Sequence, residues 1–328
     1  MTTFKNRTDL TLEAQEMLIR GEPNKKDFDG IVSHVRKEGK LNITHVEITN
    51  NAGAEKIGKP IGNYITIEVG NSELKNNEDY VHARSALATE LKNIIPDMEN
   101  KTILIIGLGN WNVTPDALGP KVVSKLAITR HILEYFPDER EKNLNPVCAL
   151  APGVLGITGI ETAEIIKGVA DHVKPDIIIA IDALASMRTD RVNKTVQLCD
   201  TGIAPGSGVG NKRKELSKQT LGVPVYAIGV PTVVDAITMA NETIDSMIRE
   251  FKKENESSGN IYTFIKDIDP QDKQELISKV FQPGDDNMIV TPRGIDEAIT
   301  VMSKLIADSL NVMIHHKNYN YLQQTYLM

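Results

Sequence analysis

"TILIIGLGNWNVTPDALGP", residues 102–120, decides the architecture. A run of Ile and Leu ends at Gly107-Leu108-Gly109, a turn rich in Asn and Pro follows, and a helix-compatible pattern begins near Gly119. Apolar strand, glycine turn and helix form the opening unit of a parallel α/β sheet. The turn reads first as a nucleotide-binding loop, but the position three after Gly109 is Asn112, so the third glycine of the dinucleotide fingerprint is missing. Gly-x-Gly alone equally marks a tight turn after a strand, and both readings stand. Asp116 sits where a phosphate-binding loop would offer bare backbone N–H groups. That carboxylate turns attention to hydrolysis.

The same alternation continues downstream. It runs through a helix near 119–134, "PVCALAP" at 146–152, a helix near 160–173, "DIIIAID" at 176–182, "VQLCD" at 196–200, "PVYAIGV" at 224–230 and a helix near 232–250. Apolar strands separated by helices predict an α/β core over about 101–250, with a mostly parallel sheet and helices on both faces. Upstream, 8–20 has the pattern of an amphipathic helix with Thr8 or Asp9 as N-cap. "LNITHVEIT" at 41–49 and "NYITIEV" at 63–69 alternate as half-buried strands around a Gly-punctuated turn, and 79–94 has a helical pattern. This part is a smaller N-terminal β-containing excursion. Residues 252–285 form a charged peripheral excursion with a short helix at 270–281; 293–314 is a C-terminal helix with Ile295, Ala298, Ile299, Met302, Ile306 and Leu310 on one face. These elements are therefore expected to make a single domain.

Composition narrows the function classes. The chain has 328 residues, 41% of them hydrophobic, enough to fill a sizeable core. A formal net charge of -7 disfavours attachment to nucleic acid or an acidic membrane through bulk charge, so neither partner is expected. The opening "MTTFKNRTDLTLEAQEMLIRGEP" lacks the apolar centre of a secretory signal, and no apolar run approaches the ~20 residues of a membrane span. A cytoplasmic location is expected. Cys148 and Cys199 have no metal-type spacing and are expected to be buried thiols. The seven histidines include no His-Glu-x-x-His pattern, and adjacent His315 and His316 would face different directions on a helix. No metal ligand and no cofactor is assigned, although two carboxylates are chemically able to hold a hard cation.

Asp116 lies beyond the 102–108 strand and Asp182 ends the 176–182 run, so a parallel sheet places both at its carboxyl edge, where ligand crevices form. Each also has a structural reading: Asp116 as cap of a helix from Ala117, Asp182 as cap of a turn at 183–186. Taken together they suggest more. Two carboxylates within a few ångströms cannot both ionise cheaply, so one keeps its proton while the other remains a base. Such a pair can take a proton from attacking water and return one to a leaving nitrogen, without a covalent intermediate. Asp235, after the 224–230 run, reads rather as support for the following helix. "APGSGVGNKRKE" at 204–215 is not a P-loop, because Asn211 follows Gly210 and no Lys-Ser/Thr pair closes it. Its Lys212, Arg213 and Lys214 are either a solvated charge run or a selector for an acidic substrate residue. Gly109 and Asn110 are further substrate-binding candidates.

"GLGNWNVTPDALGPKVV", "APGVLGITGIET", "PDIIIAIDALA", "TGIAPGSGVGNKRKE" and "AIGVPTVVDAIT", with "RTDLTLEA" near the start, closely resemble the germination proteases of spore-forming bacteria. The likeness covers most of the chain and is densest over 101–241. It implies an α/β fold akin to the hydrogenase-maturation proteases (phosphorylase/hydrolase-like) and an aspartic-type endopeptidase that degrades small acid-soluble spore proteins. By motif position, the resemblance carries the family's two catalytic aspartates onto Asp116 of "TPDALGP" and Asp182 of "AIDALA". It further implies a homotetrameric zymogen in the forespore or spore core that removes its own propeptide, cutting after an acidic and before an apolar residue. The matching bond here is Asp9–Leu10, which makes residues 1–9 the propeptide and 10–328 the single α/β peptidase domain, and gives the 212–214 cations an acidic partner. Two rivals remain: a metal-assisted maturation peptidase acting on one partner protein, and a nucleotide-binding regulator built on the Gly-x-Gly turn.

Overall fold

The computed structural model describes residues 7–22, 27–70, 74, 76–136, 144–205, 214–254, 288–315 and 318. The strands among them are β1 (Ile31–Glu38), β2 (Leu41–Ile48), β3 (Gly62–Glu68), β4 (Ile103–Gly107), β5 (Val147–Leu150), β6 (Ile177–Ser186), β7 (Thr195–Cys199), β8 (Val225–Asp235) and β9 (Ile289–Val290). They form one sheet in the order β1-β2-β3-β7-β8-β6-β4-β5, with β9 pairing β8 off this path. Strands β8, β6, β4 and β5 are parallel, as their apolar runs predict. The N-terminal β-containing part is continuous with them: β1, β2, β3 and β7 run antiparallel, and β7 joins β8.

Period-two alternation sorts the sheet's side chains into two cores. Ile103 and Ile105 of β4 and Ile177, Ile179 and Ile181 of β6 pack with the helices Asn77–Ile94, Leu118–Val123 and Ile295–His315. Leu104, Ile106, Ile178 and Ala180 point the other way, onto Ile166 and Ala170 of the helix Thr162–Val173. On that second face Ala14 of the helix Thr11–Gly21 meets Val46, Ile48, Tyr64 and Cys199. Helices therefore cover both faces, and none among the described residues is long and apolar enough to cross a membrane.

Several local expectations are corrected. The predicted helix over 119–134 is two, Leu118–Val123 and Arg130–Tyr135, because the backbone between them turns to Asn311: Ala127 N–H donates to its Oδ1 at 2.9 Å and its Nδ2 donates to Lys125 O at 3.1 Å. The Gly-punctuated turn after β2 contains the helix Asn51–Ile57, whose N-cap Asn50 accepts from Gly53 N–H at 3.0 Å. Strand β8 runs on to Asp235, so the helix predicted from 232 starts at Ala236. Neither Thr8 nor Asp9 caps the first helix: its N-cap is Leu10, without a side-chain bond, because both earlier side chains are engaged elsewhere. Of the two free thiols Cys199 is buried and Cys148 half-buried, and burial raises the pKa of both, which makes them poor nucleophiles. The 270–281 helix lies outside the described residues, as does the 252–285 excursion beyond Glu254.

His315 closes the C-terminal helix and couples the fold to pH. It is buried, its Nε2–H donates to Ala127 O at 3.2 Å, and its Nδ1 has no partner among the described residues. Burial lowers its pKa to about 4 from 6.5. Between those values the unfolded chain binds a proton that the folded chain does not. Stability therefore falls as pH drops through that window, by about 3 kcal/mol from this residue, and levels off below it. His315→Gln should flatten this part of the curve relative to wild type in urea melts at pH 7 and 4.5. An equal pH dependence in both proteins would contradict it.

Candidate active site

A crevice arises because two neighbouring strands have different lengths. β4 stops at Gly107, opposite Ile181, whereas β6 continues beside β8 to Ser186. Asp182 is thus not the end of its strand, as the sequence predicts. It is the first β6 residue past the end of β4, which still leaves it at the carboxyl edge of that neighbour. The residue is only 5% exposed, and its Oδ1 accepts from Ala183 N–H at 2.9 Å. The stretch 183–186 is strand, so there is no turn there for Asp182 to cap.

The glycine turn places Asp116. A Cβ on Gly107 would stand 2.3 Å from Gly119 O, and one on Gly119 would stand 2.3 Å from Leu108 O. These two glycines let the helix Leu118–Val123 lie against the strand end. Gly109 has φ +111°, and a Cβ on it would come within 2.0 Å of Asp116 O. The room left by the glycine is filled by the Asp116 main chain, so the Gly-x-Gly segment makes a tight turn here. Asn110 N–H donates to Asp116 Oδ2 at 2.8 Å and to Asp116 O at 3.0 Å, closing the loop. Asp116 ends the 3-10 turn Thr114–Asp116, and the helix after it has no side-chain cap. Its carboxylate holds a loop rather than a helix.

Asp116 and Asp182 come together. Both line a cavity of about 240 Å³, with Gly109, Leu184 and a third carboxylate, Asp9. Asp9 and Asp182 also line a cavity of about 200 Å³ with Tyr64, Gln197 and Glu215. Among the described residues no group of three or more His, Cys, Asp or Glu side chains has the arrangement of a metal site.

The chain itself runs through this crevice. Asp9 N–H donates to Ala185 O at 2.9 Å, and Ala185 N–H donates to Asp9 Oδ2 at 2.9 Å. Gln197 Nε2 donates to Asp9 O at 3.1 Å, while Thr11 N–H donates to Gln197 Oε1 at 2.7 Å. Asp9 is 7% exposed and Leu10 0%, so the Asp9–Leu10 bond is enclosed. The helix that follows is anchored by Glu13, whose carboxylate accepts from Ser186 Oγ at 2.8 Å, Met187 N–H at 2.6 Å, Arg188 N–H at 3.1 Å and the Thr8 hydroxyl.

Asp235 and Lys214 line neither of these cavities. Asp235 Oδ1 accepts from Thr238 N–H and Oγ1–H, both at 2.8 Å, so it starts the helix Ala236–Glu254 as the sequence suggests; its Oδ2 lies 3.5 Å from the Arg7 guanidinium. Lys214 is exposed and 3.5 Å from Glu164, while Lys212 and Arg213 lie outside the described residues. Sequence reasoning missed Gln197, Glu13 and Arg191. For Gln197 a signal existed: a polar amide at the centre of the apolar run "VQLCD".

A family model described as germination protease matches residues 11–264 and 254–327. The germination protease of Clostridium tetani (strain Massachusetts / E88) is 46% identical over 308 residues, 94% of this chain and 95% of that one. That of Bacillus cereus (strain ATCC 10987 / NRS 248) is 40% identical over 351 residues, 97% of this chain and 95% of that one. Among solved structures, the NiFe hydrogenase maturation protease HycI from Thermococcus kodakarensis KOD1 is similar with a TM-score of 0.32 and 17% sequence identity, covering 67% of this chain and 98% of that chain.

Proposed function

The chain belongs to the germination protease family and is a protease, and from that premise we propose that Asp116 and Asp182 form its acid/base pair. Its substrates are the small acid-soluble DNA-binding proteins of the spore, cut after an acidic and before an apolar residue. The protein is made as a zymogen that first cuts its own Asp9–Leu10 bond. The observation that carries this reading is the cavity lined jointly by Asp9, Asp116 and Asp182: the acidic residue of an acidic–apolar bond of the chain itself shares a cavity with one carboxylate from the turn after β4 and one from β6.

The chemistry follows from that arrangement. The ionised carboxylate takes a proton from water as the water oxygen bonds to the Asp9 carbonyl carbon. The C–N bond then breaks, and the leaving Leu10 nitrogen receives a proton from the other carboxyl. No covalent intermediate forms. Ala185 N–H, which now holds the Asp9 carboxylate, would hold the acidic residue of an incoming substrate. The enclosed place of Leu10 accounts for the apolar preference on the other side. While residues 1–9 remain attached, the chain fills its own groove and excludes other substrates. In the same reading the enzyme works as a homotetramer in the spore core, without a cofactor and without direct contact with nucleic acid or a membrane.

Intact-mass analysis and amino-terminal sequencing of the full chain after incubation test the processing step. The processed protein should start at Leu10, and Asp182→Asn protein should stay full-length under the same conditions. An active form whose amino terminus lies elsewhere would overturn the assignment.

A further inference from the structure

Gln197 bridges the Asp9–Leu10 bond. Its Nε2 donates to the carbonyl oxygen of Asp9 at 3.1 Å, and its Oε1 accepts from the N–H of Thr11 at 2.7 Å. Both bonds are buried, and both ends of the amide are spent on this one segment.

Sheet register explains why this residue reaches the bond. Gln197 of β7 pairs with Gly229 of β8, and Gly229 pairs with Asp182 of β6. Residues opposite one another share a face, and two strand spacings separate Gln197 from Asp182 by roughly 10 Å at Cα. Their neighbours Val196, Leu198 and Ile181 all point into the core on the other side. The middle member of the row has no side chain, and a Cβ on Gly229 would run into Leu184 Cδ1 at 2.3 Å. Gln197 and Asp182 therefore flank a groove floored by Gly229 and Leu184, and both line the cavity that Asp9 enters.

A donor on a carbonyl oxygen does more in the transition state than in the ground state, because that oxygen gains negative charge as water adds. We propose that Gln197 is a further catalytic residue of this site: its Nε2–H polarises the carbonyl of the acidic residue and holds the oxyanion, while its Oε1 fixes the N–H two residues downstream, in separate substrates as in the chain itself. The inference rests on the function proposed above. It divides the work of hydrolysis: Gln197 carries the charge on the carbonyl oxygen, and the protonated carboxyl is left for the leaving nitrogen. The water proton goes to one aspartate and the other aspartate's proton to nitrogen, so the step balances without a further reactant.

Gln197→Met removes the donor at similar length, and Gln197→Glu removes it while keeping an acceptor for the downstream N–H. Each is produced as the full chain and its self-cleavage is timed. Each is then processed by a small amount of tagged wild-type protein, repurified and assayed on a peptide containing Asp-Leu. Self-cleavage and kcat should both fall about 10²–10³-fold, the loss typical of a missing oxyanion donor, with KM changed less than about threefold. A raised KM with kcat retained would reduce Gln197 to an anchor and overturn the proposal. If Gln197→Met does not fold, as judged by its thermal melt, Gln197→Glu decides, and if neither chain is processed in trans the self-cleavage rate decides. Wild-type protein that fails to cut the Asp-Leu peptide would overturn the proposed function and this inference together; a cutting wild type matched by both variants would overturn the role of Gln197 alone.

Discussion

Asp116→Asn and Asp182→Asn are each expected to lower peptide cleavage by about 10²–10⁴-fold, the range for loss of a general acid or base. Asn keeps the volume and one oxygen acceptor. Asn110 N–H can still donate to position 116, and Ala183 N–H to position 182, as each does now at 2.8 Å and 2.9 Å. The Gly109 loop and the β6 edge should therefore survive, and thermal melts should stay close to wild type. What the substitution removes is a group able to exchange a proton with water or with the leaving nitrogen. Steady-state cleavage of an Asp-Leu peptide checks this. A folded variant that retains full turnover would remove that residue from the chemistry.

Arg191→Met is expected to destabilise the fold by about 3–5 kcal/mol, as breaking a buried ion pair on one side usually does. The Arg191 side chain is buried at 9% exposure, and its guanidinium reaches Glu16, Glu13 at 3.5 Å and Glu68 at 3.3 Å. Burial alone would lower its pKa, but hydrogen bonding and attraction from Glu16, then Glu13 and Glu68, outweigh burial and raise it. Removing this cation leaves Glu13, which is 0% exposed, with its hydrogen-bond donors but without the counter-charge that Arg191 supplies. The contrast is Lys167–Asp171, an exposed pair one helical turn apart, whose loss should cost only about 0.3–0.5 kcal/mol. Arg191→Lys should recover only part of the loss, because an ammonium cannot reproduce the planar fork shared among three carboxylates. Glu13 and Glu16 belong to the helix immediately after Leu10, so the weakened variant should also process its own chain more slowly. Urea unfolding gives the number; a loss under about 1 kcal/mol would show that the cluster does not hold this helix in place.

The parts of the fold legible in the sequence are those where local pattern and burial coincide. Strands β4, β6 and β8 carry near-continuous apolar runs because both their faces are covered. β1 escaped notice for the opposite reason: it is an edge strand exposed along most of its length, so "IVSHVRKE" shows no buried alternation. The extension of β6 past Asp182 was hidden because its partner segment in β8 contains Pro231, which argues locally against a strand interior. Here Asn193 N–H donates to Pro231 O at 2.7 Å, and the pairing with β6 shifts register just beyond Leu184.

The site divides in the same way. The strand pattern brings Asp116 and Asp182 to one sheet edge even though β6 runs on past Asp182, whereas the Asp9–Leu10 bond is singled out only through the family likeness. What surrounds them depends on contacts about 175–190 residues apart in the chain, such as Glu13 with Met187, Asp9 with Ala185 and Gln197 with Asp9. No periodicity carries such pairings; they appear once the first helix is docked beside the end of β6.

The most direct test combines Asp116→Asn and Asp182→Asn in one chain and compares its turnover with the two single variants on the same peptide. Groups that pass protons as one unit lose their function together, so the double variant should be about as slow as the slower single variant. A double variant slowed by the product of the two separate losses would mean that the aspartates act independently, and would contradict the account.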